Sequence, residues 1–238
     1  MAVTRYFTKV VKPILNPVVM ESGAYTDDDV LFDYTPFDVP RGTNRLVGAT
    51  ALIRGNDGAA QHLAFDIIFS SRSAILGTQH ATADGKVNPY SLGVLSFTAN
   101  DYGGQSLDVM SVAMARDNRS NLCLTGDPDY SGNIGDPGFD RIYVGGLAGG
   151  AFDFSSNVTT TTTGTGNTVF AINSTTVAGL MLAEGDTIAA HDGASIGTIK
   201  SIDSDTQITL EAANTAAIAS GDRIYPVSPI TLILHFER

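Results

Sequence analysis

The chain has 238 residues, 43% of them hydrophobic, which is enough apolar material for one large folded unit or two smaller ones and excludes disorder along its whole length. Its 25 acidic against 14 basic residues give a formal net charge of −11; that balance repels a nucleic-acid backbone and an anionic membrane surface, so neither is an expected partner. The lone cysteine, Cys123, excludes an intrachain disulfide and a cysteine-built zinc site, and His62, His80, His191 and His235 lack the paired spacing of a histidine metal centre.

No metal and no cofactor is therefore expected, and Cys123 reads as a small buried hydrophobe. Residues 1–9 lack the apolar run of a signal peptide, and no later stretch approaches the roughly 18 apolar residues of a membrane-spanning helix. With 25 glycines, frequent Thr, Ser and Asp, and no sustained helical period, the composition is that of a turn-rich β-protein.

In chain order, Lys12-Pro13 and Asn16-Pro17 break up the first stretch, so residues 1–23 read as an extended N-terminal arm. Its apolar residues Tyr6, Phe7, Ile14, Leu15, Val18 and Val19 are the candidate interface, packing on a neighbouring molecule or on the chain's own body. The acidic run Asp27-Asp28-Asp29 reads as a solvated turn before a strand at Val30–Tyr34. Strand-like runs follow at Phe37–Val39, Arg45–Ile53 and His62–Phe69, and Asn56-Asp57-Gly58 between the last two is a hairpin signal. Ser91–Thr98 and Leu107–Met114 are further strands. Successive β-runs without helices between them predict an antiparallel β-sandwich, jelly-roll-like in its connections.

Residues 126–140 contain Gly-Asp-Pro twice and read as a long loop. Asp127, Asp129, Asn133 and Asp136 could offer oxygen ligands to calcium, but the calcium-loop pattern with its terminal Glu is absent. Gly145–Gly150 reads as a glycine turn, since it lacks the Gly-Lys-Ser/Thr ending of a phosphate loop. Ala151–Phe154 looks like a strand. The threonine run Thr159–Thr163 is the sharpest change of composition and marks a boundary.

After it comes a compact set of strands punctuated by Gly-Asp and Asp-Gly turns: Thr168–Ile172, then Gly185-Asp186-Thr187-Ile188, Ile196–Ser201, Gln207–Leu210 and Ile224-Tyr225. Pro229–Phe236 is rich in large aliphatics and can return to the first sandwich. The expected organisation is thus an arm (1–23), a sandwich built from 24–156 plus 227–238, and an inserted small β-barrel-like module at 157–226 that projects outward. Loops and inserts on a rigid scaffold are where function concentrates.

Catalytic patterns fail on their context. Gly193-Ala194-Ser195-Ile196-Gly197 matches G-x-S-x-G, but a β-run follows it where a nucleophile elbow needs a helix, and the one later histidine, His235, sits in an expected strand. Acid pairs such as Asp203 and Asp205 need a pocket that separates their pKa values, and the sequence supplies none. The expectation is a non-enzymatic protein.

The module's Gly-Asp-Thr-Ile entry, Gly-Thr-Ile-Lys-Ser-Ile-Asp core, Thr-Gln-Ile-Thr-Leu strand and Ser-Gly-Asp-Arg-Ile-Tyr exit, together with Val39-Pro40-Arg41-Gly42-Thr43 upstream, resemble virion structural proteins of tailed bacteriophages, particularly phages of marine or cyanobacterial hosts. The resemblance implies a capsid decoration or cement protein that stabilises the phage head. It further implies a homo-oligomer, with a trimer among the orders it admits, made in the host cytoplasm and located on the capsid exterior or tail. The implied partners are copies of itself and the major capsid or other virion proteins. The alternative is a tail- or fibre-associated protein that binds a receptor or glycan.

Overall fold

The computed structural model describes residues 5–55, 60–84, 88–103, 110–115, 121–127, 138–173 and 182–238. Fourteen strands are described: β1 (Tyr6–Val11), β2 (Val30–Pro40), β3 (Asn44–Arg54), β4 (Phe65–Ser70), β5 (Ser91–Phe97), β6 (Met110–Ala115), β7 (Leu122–Leu124), β8 (Phe139–Ala148), β9 (Val169–Ala171), β10 (Thr187–Ala190), β11 (Ser195–Ser204), β12 (Gln207–Leu210), β13 (Ile224–Pro226) and β14 (Ile230–Glu237). One helical turn, α1 (Pro17–Met20), and a 3-10 turn at Ala99–Asp101 complete the elements.

Nine of the strands form two packed sheets. One runs β1-β14-β3-β6, with β7 also paired to β3, and the other runs β2-β8-β4-β5. β1 to β4 alternate between the layers, β4 and β5 form a hairpin within one layer, and every pairing is antiparallel. With β7 as an addition, this is the eight-stranded jelly roll, so the expected all-β sandwich is what the chain adopts.

Strand β14 shows why. Its Ile230, Leu232, Leu234 and Phe236 are buried while Thr231, Ile233, His235 and Glu237 face out, the period-2 pattern of a sheet with one wet face. It lies between β1 and β3 at the centre of the first sheet. There its inward residues join Leu46, Ala51 and Ile53 of β3 and Phe65, Phe69 and Val144 of the opposite sheet in one core.

The third sheet, β13-β10-β11-β12-β9, lies between β8 and β14 in sequence and has its own core around Phe170, Ile188, Ile199, Ile208, Leu210 and Ile224. Both of its edges bond the same segment. Ile224 N–H donates to Val158 O and Thr160 N–H to Asp222 O, while Thr161 N–H donates to Ala171 O and Asn173 N–H to Thr159 O. The sheet is thus curled, barrel-like, around its core. Thr160 of the threonine run is fully buried within it, so this run belongs to the module's wall.

Several local expectations need correction. Residues 6–11 are a strand and 17–20 a helical turn rather than an extended arm: Pro13 lies beyond the end of β1, and Pro17 occupies the first helical position, where its missing N–H costs nothing. Asn16 caps that turn by accepting from Val18 N–H. The runs before and after residues 56–58 do not form a hairpin, because β3 pairs with β14 and β6 whereas β4 pairs with β5 and β8 in the other layer. The two runs at 30–34 and 37–39 are one bulged edge strand, β2, which accommodates Pro36.

Gly145-Gly146 is no turn but the middle of β8: a Cβ on Gly146 would lie 2.3 Å from the Phe32 ring, so glycine is what lets that ring cross the strand. Phe152 and Phe154 are buried core residues outside any strand. Cys123 is exposed, because alternation along β7 gives the inward place to Leu124. Asp29 is buried and accepts from Thr26 N–H at 2.7 Å, so it closes a turn instead of being solvated.

Candidate assembly surface

The six residues singled out in the N-terminal segment divide into two sets. Leu15 is fully buried, Phe7 stacks on Phe236 with ring centroids 5.1 Å apart, and Val19 packs against the sandwich core. Tyr6, Ile14 and Val18 are exposed, at 72%, 70% and 49%. Alternation along β1 accounts for the Tyr6/Phe7 split, and the helical turn for the Val18/Val19 split.

Three clasps tie this segment, the sandwich and the module to one another. Leu15 N–H donates to Val227 O at 2.8 Å. Glu21, just past α1, takes both the Arg223 guanidinium and the Tyr225 hydroxyl. Burial pushes the Tyr225 hydroxyl well above its ordinary range, and its hydrogen bond to the Glu21 carboxylate adds to the rise. On the other side, Arg54 Nη2 lies 2.7 and 2.8 Å from the two oxygens of Asp186, with both side chains only 11% exposed.

A groove of about 640 Å³ opens between the N-terminal segment, β2 and the module, walled by Ile14, Pro17, Pro36, Ala189 and Val227. Its charged wall residues are Lys12 and Asp33, and Asp33 already accepts from the backbone N–H groups of Tyr34 and Leu76. Ser195 lies on the same wall at the first position of a strand. His235 is placed elsewhere, on β14 beside Thr50 Oγ1 at 3.5 Å. No nucleophile–base pair converges here among the described residues.

The oxygen-rich positions are also occupied structurally. Asp127 pairs with Arg72 at 2.6 Å, while Asp129, Asn133 and Asp136 lie outside the described residues. Asp203 accepts from Thr209, Ser201 and Gln207, which holds its carboxyl below the usual range. Among the described residues, no three His, Cys, Asp or Glu side chains converge as a metal site would require.

The outer face of the first sheet is a surface that sequence reading missed. Register places Val10, Ile233, Thr50 and Met114 in one row across β1, β14, β3 and β6, with Leu52 beside Val112 in the next. All of them lie at least partly open to solvent. The signal was present as alternation in each strand, but no single strand tells which strands stand side by side. Among the described residues, no helix is long and apolar enough to cross a membrane.

No family model matches the chain, and no curated protein matches it. Two solved structures align weakly. The infectious bursal disease virus VP2 subviral particle does so at 11% identity and TM-score 0.16, over 98% of this chain and 41% of that one. The STIV MCP does so at 10% identity and TM-score 0.16, over 98% and 96%. Scores of this size carry no argument about architecture or role.

Proposed function

We propose that this chain is a non-enzymatic structural protein of a virion, a decoration or cement protein that sits on the capsid exterior and works by self-association and by contact with the capsid shell. The observation that carries this reading is the division of the molecule into a jelly roll whose outer sheet face presents a partly exposed apolar row, Val10, Ile233 and Met114, and a clasped module carried between β8 and β14. Jelly rolls serve as capsid and lectin domains among other roles, so the fold permits the reading without selecting it. The phage resemblance of the module's turns and strands supports the same choice. Mechanically, such a protein binds by burying apolar strand faces, and its stiffness comes from buried clasps such as Arg54–Asp186.

The test is to band particles from the source culture on a density gradient and to probe them with an antibody against residues 157–226. Co-banding in many copies per particle, with label on the heads, is the expected result. Protein that stays in the soluble fraction overturns the reading. Label confined to tails, together with binding of the isolated protein to host cells or glycans, reassigns it to the receptor-binding alternative.

A further inference from the structure

Among the described residues, the edge strands β2, β5 and β6 each carry a proline, a bulge or a covering segment. Strand β2 carries Pro36 and Pro40, is bulged twice, and has Val30 tied to Ala81 and His80 by backbone bonds. Strand β5 bulges at its start and holds Gly93 at φ +153°. Strand β6 is bridged by the Tyr102–Gly103 segment, Gly103 N–H donating to Val112 O. Bulges, prolines and covering segments are how proteins stop edges from pairing with other chains. Strand β1 has none of them among the described residues: it contains no proline or glycine and runs in unbroken register against β14.

The hydrogen-bond phase shows which groups β1 offers. Arg5 and Arg238 exchange both of their backbone bonds, at 3.0 and 2.9 Å. Bonded pairs recur every second residue in an antiparallel ladder, so Phe7, Lys9 and Val11 bond toward β14. The N–H and C=O groups of Tyr6, Thr8 and Val10 therefore point out from the edge, and all three residues are exposed. Tyr6 and Val10 are 72% and 59% exposed, a large apolar display for a strand rim.

We infer that this edge pairs antiparallel with β1 of a second copy across a two-fold axis centred on Thr8, joining two five-strand sheets into one. A two-fold normal to the sheet brings like faces together, so it must pass through a residue rather than between residues. Centring it on Lys9 sets Lys9 against itself, and centring it on Phe7 sets Arg5 against Lys9 of the second copy. Like charges directly opposite are unfavourable.

Centring on Thr8 opposes Thr8 to Thr8, Tyr6 to Val10, Phe7 to Lys9 and Arg5 to Val11, which leaves no like pair. It also creates an aromatic–β-branched pair twice and a threonine pair once, both favourable across strands. The outward groups of Tyr6, Thr8 and Val10 then all find partners in the second copy. Val10, at the end of the row that runs to Met114, then packs beside Tyr6 of the second copy. This names the homotypic contact within the proposed self-association, and it stands or fails in solution, independently of any particle.

Sedimentation and cysteine cross-linking of the full chain in a Cys123→Ser background test it. Thr8→Cys should cross-link to itself under mild oxidation, since a bonded antiparallel pair has its Cα atoms about 5.5 Å apart, within disulfide reach. Tyr6→Cys alone should not, because its two copies lie about 13 Å apart along the strand. Mixed with Val10→Cys protein, it should. Thr8→Asp and Thr8→Pro should lose the dimer that the parent shows, with thermal midpoints near the parent's, because only an outward side chain and an outward N–H are altered. A parent that sediments as a monomer at every concentration, a Thr8→Cys protein that does not cross-link, or a Thr8→Pro protein that remains dimeric each overturns the inference, whatever the particle experiment shows.

Discussion

Removing Asp186 tests whether the module is held by a dry ion pair. In the parent, one guanidinium nitrogen of Arg54 bonds both carboxylate oxygens at 2.7 and 2.8 Å, and Asp186 also accepts from Ala183 N–H at 2.7 Å. With both side chains 11% exposed, water restores little of what Asp186→Ala removes. Breaking such a pair from one side costs about 3–5 kcal/mol, of which the lost Ala183 bond accounts for about 1. Asp186→Asn keeps an acceptor for Ala183 and should cost about 1 kcal/mol less. Replacing both partners, Arg54→Met with Asp186→Leu, removes the stranded charge and should recover most of the loss, giving a coupling of about 2–3 kcal/mol in a double-mutant cycle. Urea unfolding followed by circular dichroism and by tyrosine emission provides the assay, the chain having eight tyrosines and no tryptophan. A loss below about 1 kcal/mol for Asp186→Ala would place the pair among solvent-screened surface bridges and refute the clasp.

Other variants probe other parts of the structure. Gly146→Ala should destabilise by about 1–3 kcal/mol or more, because its methyl must displace the Phe32 ring from 2.3 Å; an unchanged urea midpoint would contradict that packing. Leu15→Ala should cost about 2–5 kcal/mol, as a fully buried side chain, whereas Ile14→Ala one residue earlier should leave thermal stability nearly unchanged. Deleting residues 1–20 should unfold the sandwich rather than merely free it from a partner, since it removes β1 and the buried Leu15 and Met20; a folded, monomeric truncation on circular dichroism and sedimentation would refute this.

Alkaline titration is a separate test. The hydroxyls of Tyr25, Tyr102 and Tyr225 are all pushed above the ordinary tyrosine value, chiefly by burial. In the unfolded chain they ionise near pH 10 while the folded chain keeps them protonated, so their stabilisation is complete below pH 10 and falls as pH rises beyond it. Each steepens the loss by up to about 1.4 kcal/mol per pH unit. Stability that stays flat from pH 9 to 11 in urea titrations would contradict that burial.

What could be read from the sequence was local periodicity. The alternation in Arg45–Ile53, Gln207–Leu210 and Pro229–Phe236 marks strands that the structure contains almost residue for residue. Partner choice was not legible, because it depends on contacts distant in sequence. Asn56-Asp57-Gly58 suggested a hairpin, yet β3 and β4 lie in opposite layers. Strand β8 was hidden by Gly145 and Gly146, whose small size answers to Phe32, Tyr34 and Leu76 packed over them from other segments.

The N-terminal segment combined both difficulties. Prolines suggest an extended arm, while Tyr6–Val11 alternates plainly once β14 is known to lie beside it. Of the six residues proposed to make contacts, alternation could have separated Tyr6 from Phe7. That Leu15 belongs inside and Ile14 outside follows only from the meeting of this segment with Val227 and the core.

Electron cryomicroscopy of the native assembly addresses the structural role most directly. The expected density shows jelly rolls on the outside of a capsid shell, with their modules directed away from it and β1 edges meeting in pairs. Particles whose density lacks the jelly roll altogether, or copies that stand singly with β1 open to solvent, would contradict it.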